Sequence, residues 1–136
     1  MVIVVRGRDD RLLAFERADL PGQWQLPQGG LKNGEAPIDA AWRELGEETG
    51  LGPNDVIAIA EYPGWVTYEY PVGVRMANGR MGQAQRWFLF DAMRNDLQPQ
   101  PDGTEFTAWQ WVTKAWMLEH AVEFRRSSYE LVLSTI

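Results

Sequence analysis

The chain opens with two short apolar runs, residues 2–5 and 12–15, separated by the polar stretch Arg6-Gly7-Arg8-Asp9-Asp10. Glycine and aspartate between such runs predict a β-hairpin. Leu20-Pro21-Gly22 marks a turn. Trp24-Gln25-Leu26 then reads as a brief strand, stopped by Pro27 and the Gly29-Gly30 pair. From Pro37 the period changes. Ile38, Ala41, Trp42 and Leu45 recur at helical spacing and predict one apolar helix face. Pro37 suits the first turn, where its missing N–H would be unpaired anyway. Gly50 can end the helix in the left-handed conformation. Gly46 inside it costs about 1 kcal/mol relative to alanine, which predicts a close backbone contact at that position.

β-branched and aromatic runs at residues 56–62, 65–70, 86–90 and 109–112 predict further strands. Residues 71–85 are broken by Pro71 and three glycines, so they predict a long loop, and residues 96–104 a second one. Two helices, 114–122 and 127–133, are expected to close the chain. Strands, one central helix, more strands and terminal helices make an α+β arrangement rather than a βαβ repeat. The 136 residues fit one domain, 1–136, with no internal repeat.

Composition narrows the chemistry. Hydrophobic residues at 45% and charged residues at 24% fit an ordered globular chain. There is no cysteine, which excludes disulfides, thiolate metal sites and a cysteine nucleophile. The lone histidine, His120, excludes a multi-histidine metal cage and reads as a helix surface residue. Any metal must therefore be held by oxygen, which points to a hard cation such as Mg²⁺, Mn²⁺ or Ca²⁺. The net charge of -6 gives no general attraction to nucleic acid. No apolar run approaches the roughly 20 residues that span a bilayer, and the opening run is too short for a signal peptide. A cytoplasmic location and no membrane partner are expected.

Glu44, Glu47 and Glu48 stand at i, i+3 and i+4, so they share a helix face. That face is expected to lie opposite Ile38, Ala41 and Leu45. Like charges at this spacing repel by a few tenths of a kcal/mol per pair. Their place near the helix C-terminus is unfavourable for negative charge as well. A divalent cation would reverse both effects. Arg43 can pair with Glu47 at i+4 and hold it in place.

Around these residues stands a longer pattern. Gly29 is followed after five residues by Glu35, and after seven more by Arg43-Glu44-Leu45-Gly46-Glu47-Glu48-Thr49-Gly50-Leu51. This resembles the Nudix box, with every fixed position filled. The resemblance implies an α/β/α sandwich around a mixed sheet. It also implies Mg²⁺-dependent hydrolysis of a phosphoanhydride bond, with Mn²⁺ as an alternative ion. Glu44, Glu47 and Glu48 would be metal ligands, with a backbone carbonyl at Gln28 or Gly29. Glu35 would brace the loop through Arg43. Glu105 would add a ligand from elsewhere in the chain. Glu44 is the first candidate for the base and Glu105 the second. The chemistry is coherent, because polyphosphate hydrolysis needs oxygen charge neutralised and a water oriented.

The resemblance extends beyond the box. The segments Trp24-Gln25-Leu26-Pro27-Gln28-Gly29-Gly30-Leu31, Gly82-Gln83-Ala84-Gln85-Arg86-Trp87-Phe88-Leu89, Glu105-Phe106 with Trp109-Gln110-Trp111-Val112, and Val122-Glu123-Phe124-Arg125-Arg126 look like the bacterial RNA 5′-pyrophosphohydrolase and dinucleoside polyphosphate hydrolase group. The implied substrate is a dinucleoside polyphosphate or a capped or triphosphorylated RNA end. Phe124 would stack on a base, Arg17 and Arg125 would meet phosphates, and Gln28, Tyr68 and Arg86 would line the pocket. Ala84 departs from the lysine common in the group. A dNTP or an ADP-ribose-like nucleotide is the alternative substrate, and a non-catalytic nucleotide-binding regulator the alternative role. Trp65, Trp87, Trp109 and Trp111 read as sheet residues, mostly core. A stacking array for single strands would need a basic groove as well.

Overall fold

The computed structural model describes residues 1–136. Strands β1 (Val2–Arg6) and β2 (Leu12–Arg17) form the expected hairpin, but they pair only beside its turn, where Arg6 faces Leu12. Beyond that point β2 turns its edge to β3 (Trp24–Gln25). The segment after β3 enters the wedge between them. Val2 bridges Gln28, and Ile3 N–H donates to Pro27 O at 2.9 Å. This insertion ties the start of the box loop to the first residues of the chain.

Further along, β1 runs parallel to β7 (Trp87–Ala92), and β7 runs antiparallel to β4 (Val56–Glu61). The opposite edge of β2 takes β8 (Phe106–Val112). Together they make one mixed six-stranded sheet. Helix α1 (Pro37–Thr49) covers one face. On that side Ile3, Val5, Leu13 and Phe15 pack with Ala40, Ala41 and Leu45. The later helices α3 (Lys114–His120) and α4 (Glu123–Leu133) cover the other face. There Val2, Val4, Leu12 and Ala14 pack with Met117, Tyr129 and Val132. Because both faces are covered, β1 reads as an unbroken apolar run instead of an alternating one. The α/β/α sandwich is the expected fold. No helix is long and apolar enough to cross a membrane.

The stretch 71–85 is not one long loop. It holds α2 (Val72–Asn78) and β6 (Gly82–Gln85), and β6 pairs with β5 (Val66–Glu69) in a small second sheet. No residue of α2 is buried, so it lacks the amphipathic signature that reveals a helix. β6 is hidden in sequence because its partner, not its composition, makes it a strand. Likewise α4 begins at Glu123, four residues before the expected start, and β8 begins at Phe106.

Two expectations about α1 also change. Ile38 is 36% exposed, while Ala40 is fully buried. A β-carbon at Gly46 would meet only Leu51 O at 3.9 Å, so no close backbone contact explains that glycine. The C-terminus of α1 is as expected, with Gly50 at φ 72° and its N–H on Gly46 O. Helix ends leave carbonyls without partners. Here the loop at residues 96–104 supplies them: Gln100 N–H donates to Thr49 O at 2.7 Å, and Asp102 N–H to Glu48 O at 3.2 Å. That docking brings Glu105 to the same end of α1.

Candidate active site

Arg43 is the hub of the box. Its Nε and Nη2 grip the two oxygens of Glu35 at 2.8 and 2.9 Å. Nη2 also donates to Gly30 O at 2.8 Å. Nη1 donates to Glu44 Oε1 at 2.7 Å and to Glu47 Oε2 at 3.3 Å. Glu35 closes the loop on itself by accepting from Lys32 N–H at 3.0 Å. The Arg43 guanidinium, with that N–H, holds the Glu35 carboxyl down to about 2. Only a planar fork with five donors can make this set of bonds.

Glu48 differs from its neighbours. It is 5% exposed and projects with Ala41 and Leu45 toward the interior, so the three glutamates do not share a single outward face. Its Oε2 accepts Gln28 N–H at 3.1 Å, and it makes no ion pair with any lysine or arginine. Burial pushes its carboxyl up to about 8, and the charge of Glu44 adds to the rise. The Gln28 N–H opposes the shift, while Glu105 and Asp102 contribute further repulsion.

Glu44 sits against Gly29. A β-carbon there would stand 1.9 Å from Glu44 Cδ, so any other residue would displace the carboxylate. Gly29 N–H donates to Met1 O at 3.0 Å, and Met1 N donates to Gly29 O at 2.6 Å. The loop is thus laced to the sheet on one side and to α1 on the other. Glu47 is 55% exposed at its side chain and held by Arg43. Glu105 is exposed, and its N–H donates to Asp102 Oδ1 at 2.8 Å. No three acidic side chains stand within common reach of one ion. The fold brings Glu44 and Glu48 together, lets Glu105 act on Glu48 through space, and leaves Glu47 at the rim.

The candidates for substrate contacts divide. Gln28, Tyr68, Phe124 and Arg125 fall on one connected surface. Gln85 Nε2 donates to Gln28 Oε1 at 3.4 Å and to Gln83 Oε1 at 2.9 Å. Tyr68 Oη donates to the same Gln83 oxygen at 2.7 Å. Burial pushes the Tyr68 phenol up to about 12. Phe124 packs on Tyr68 and Tyr70, with ring centroids 5.7 and 5.5 Å away. Arg125 Cζ lies 5.6 Å from the Phe124 ring, and Arg125 Nη1 donates to Gln25 Oε1 at 2.5 Å. Arg17 is held in a fork by Asp19 at 3.0 and 2.8 Å. Arg86 is ion-paired to Glu61 and lies over Trp65.

Gln83, Gln85 and Asp102 were not singled out from the sequence. The two glutamines stand two residues apart in Gly82-Gln83-Ala84-Gln85, and share a face only once pairing with β5 makes that stretch a strand. Asp102 accepts the N–H groups of Thr104, Glu105 and Phe106 at 3.0, 2.8 and 3.2 Å. Its place before Gly103 was the available cue. A larger, mainly apolar cavity lies elsewhere, between β7 and the end of α4, and holds none of the box residues.

The chain matches the NUDIX domain family over residues 1–132. It is 37% identical over 140 residues to Nudix hydrolase 25 of Arabidopsis thaliana, covering 93% of this chain and 78% of that protein. It is 40% identical over 139 residues to an RNA pyrophosphohydrolase of Cereibacter sphaeroides, covering 98% of this chain and 86% of that one. The dihydroneopterin triphosphate pyrophosphohydrolase of E. coli shares the fold with a TM-score of 0.80 at 23% identity, over 99% of this chain and 94% of that one. A C. elegans Ap4A hydrolase complex does so with a TM-score of 0.71 at 17% identity, over 98% and 95% of the two chains. Hydrolases of this kind use divalent metal ions. The arginine-braced loop, the glutamate helix and these likenesses lead to one assignment: the chain belongs to the Nudix family and is a hydrolase of pyrophosphate bonds.

Proposed function

We propose that this chain uses Mg²⁺, with Mn²⁺ as a substitute, to cut a phosphoanhydride bond in a dinucleoside polyphosphate or in the 5′-triphosphate end of an RNA. The observation that carries the reading is the Glu44–Glu48 pair. Glu48 is buried, has no cationic side chain of its own, and is pushed upward by its neighbour's charge. Two acids in that relation suit a hard divalent cation. The Gly29 notch and the oxygen-only donor set fit the same ion.

Glu44 and Glu48 would hold the ion, with a backbone carbonyl at Gln28 or Gly29 and with Glu47 swinging in from the rim. Bound there, the ion would neutralise phosphate oxygens and favour attack by water. Arg43 and Glu35 fix the loop that carries these oxygens. For the base we favour Glu105 over Glu44. Glu44 already gives one oxygen to Arg43 and is walled in by Gly29. The Glu105 carboxylate is exposed and makes no ion pair, so it can take a proton from water. Phe124 and Tyr68 would seat a base, and Arg125 and Arg17 would meet phosphates, Arg17 by releasing Asp19. Arg86 serves Trp65 rather than the phosphates.

The RNA pyrophosphohydrolase relatives support an RNA end, and the net charge of -6 supports a short substrate. An assay with Mg²⁺ against a dinucleoside tetraphosphate, triphosphorylated RNA, dNTPs and ADP-ribose, with products identified, tests the reading. The two-nucleoside substrates should give the highest kcat/KM, and Glu48→Gln should lower kcat by orders of magnitude with the fold intact. Preference for a dNTP or ADP-ribose would overturn the substrate assignment. Nucleotide binding without phosphate release would overturn catalysis.

A further inference from the structure

Trp65 stands apart from the other tryptophans. Trp87 is 1% exposed, and Trp24, Trp42, Trp109, Trp111 and Trp116 pack against the two cores. Trp65 is 53% exposed, so it is not a core sheet residue. Yet it is not loose. The Arg86 guanidinium lies over its ring, with Cζ 5.3 Å from the centroid, and Glu61 anchors Arg86 by an ion pair. One face of the indole is backed by a fixed cation, and the residue still presents half its surface to solvent.

Trp65 also lines a cleft with Gln28, Gly30 and Leu31 of the box loop and with Arg80 and Ala84. Arg80 has only its backbone N–H engaged, by Asn78 Oδ1, so its guanidinium is free. An aromatic plane, an unpaired guanidinium and side-chain amides beside a pyrophosphate-cutting loop suit a base carried on a phosphate chain. Burial alternates along Trp65, Val66, Thr67 and Tyr68, which turns Trp65 away from Tyr68 and the Phe124 cluster. The small sheet therefore offers two aromatic rings facing different ways beside one box loop, and Gln83 and Gln85, which also line the Trp65 cleft, join it to Tyr68.

We infer that Trp65, assisted by Arg80, is a second nucleobase platform, separate from the one at Phe124. This rests on the reading above that the substrate carries two nucleosides. The shared chemistry is a second base linked through phosphate. It comes either from the distal nucleoside of a dinucleoside polyphosphate or from the second nucleotide of an RNA.

The test compares wild type, Trp65→Ala, Trp65→Phe and Arg80→Ala on diadenosine tetraphosphate, on the triphosphorylated dinucleotide pppApA, and on ATP. Base stacking on an aromatic side chain is worth about 1–3 kcal/mol. Trp65→Ala should therefore lower kcat/KM on a two-base substrate about 5- to 150-fold, mainly through KM. Trp65→Phe should keep most of the activity, Arg80→Ala should raise KM, and ATP turnover should stay within about twofold. The two-base substrate that suffers identifies the source of the second base. Equal losses on all three substrates, or no loss on any, would overturn the platform.

A binding arm separates this inference from the catalytic one. Calorimetry in EDTA with pApA and AMP needs no turnover. If wild type hydrolyses nothing, the hydrolase reading fails, yet a fivefold or greater loss of pApA affinity in Trp65→Ala, with AMP unchanged, still supports the platform. Unchanged pApA affinity overturns it.

Discussion

The carboxylate of Glu44 occupies the space in which a side chain on Gly29 would begin. A β-carbon at Gly29 would lie 1.9 Å from Glu44 Cδ and 2.2 Å from both carboxylate oxygens. The backbone of Gly29 is not in the left-handed region, so the glycine is required for space and not for torsion. Gly29→Ala should therefore fold while moving Glu44. We expect kcat with Mg²⁺ to fall at least tenfold, with a melting temperature within a few degrees of wild type. Wild-type kcat in that variant would show that Glu44's position is unimportant.

Arg43 makes five hydrogen bonds through one planar group. Lysine keeps the charge but cannot form the fork. Arg43→Lys should lose nearly as much kcat/KM as Arg43→Ala, with both at least tenfold below wild type. If lysine restores activity, the positive charge matters and the geometry does not.

The acids of the box give opposite pH dependences. Glu48 is raised from 4.5 to about 8 in the folded chain. The native state then binds more protons than the unfolded one between these values, so stability falls as pH rises through that window. Glu35 is lowered from 4.5 to about 2. Its contribution is present above 4.5 and is lost as pH falls toward 2. Melting curves in EDTA should show a decline from about pH 5 to 8 that Glu48→Gln abolishes. Mg²⁺ should flatten the same decline in wild type, because it favours the ionised carboxylate. A decline that persists in Glu48→Gln would assign it to another group.

Asp102 holds three successive N–H groups with one oxygen and so shapes the turn that carries Glu105. Hydrogen bonds to a charged acceptor are worth about 1.5–3 kcal/mol. Asp102→Ala should destabilise the fold by about 1–2 kcal/mol in urea titration. It should also lower kcat more than it raises KM, since it acts through the placement of Glu105. A change in KM alone would point to substrate contact instead.

Deleting core volume serves as a contrast. Leu45 is fully buried between α1 and the sheet, and leucine-to-alanine changes in such sites cost about 2–5 kcal/mol. Leu45→Ala should lower the urea midpoint strongly, while kcat per folded molecule changes far less than in Gly29→Ala. A kcat loss equal to that of Gly29→Ala would mean that core packing itself tunes the site.

Much of the site was legible in the chain because its parts are local. Arg43, Glu44, Glu47 and Glu48 lie within two helical turns, and Gly50 marks where the helix must stop. The paired strands 2–5 and 12–15 were equally plain, as their apolar runs need no partner to be seen. What could not be read was the depth of Glu48. Helical spacing allows it on the face of Ala41 and Leu45 as well as beside Glu44, and the loop that folds over the helix settles its burial. Similarly, Gly82–Gln85 becomes a strand only because Val66–Glu69 lies beside it.

The amino-acid order by itself determined the box and the oxygen-only donor set, since each depends on residue type and short spacing, while the α/β/α sandwich was implied by the resemblance that the box carries. Only the folded chain decided which acid is buried, that Gly29 exists to admit Glu44, that Arg86 backs Trp65, and that the loop of Asp102 and Glu105 docks on the end of α1. Those relationships join residues that lie about 15 to 55 positions apart. Periodicity carries no information over such distances, whereas desolvation, hydrogen bonding and close packing act on whatever the fold brings together.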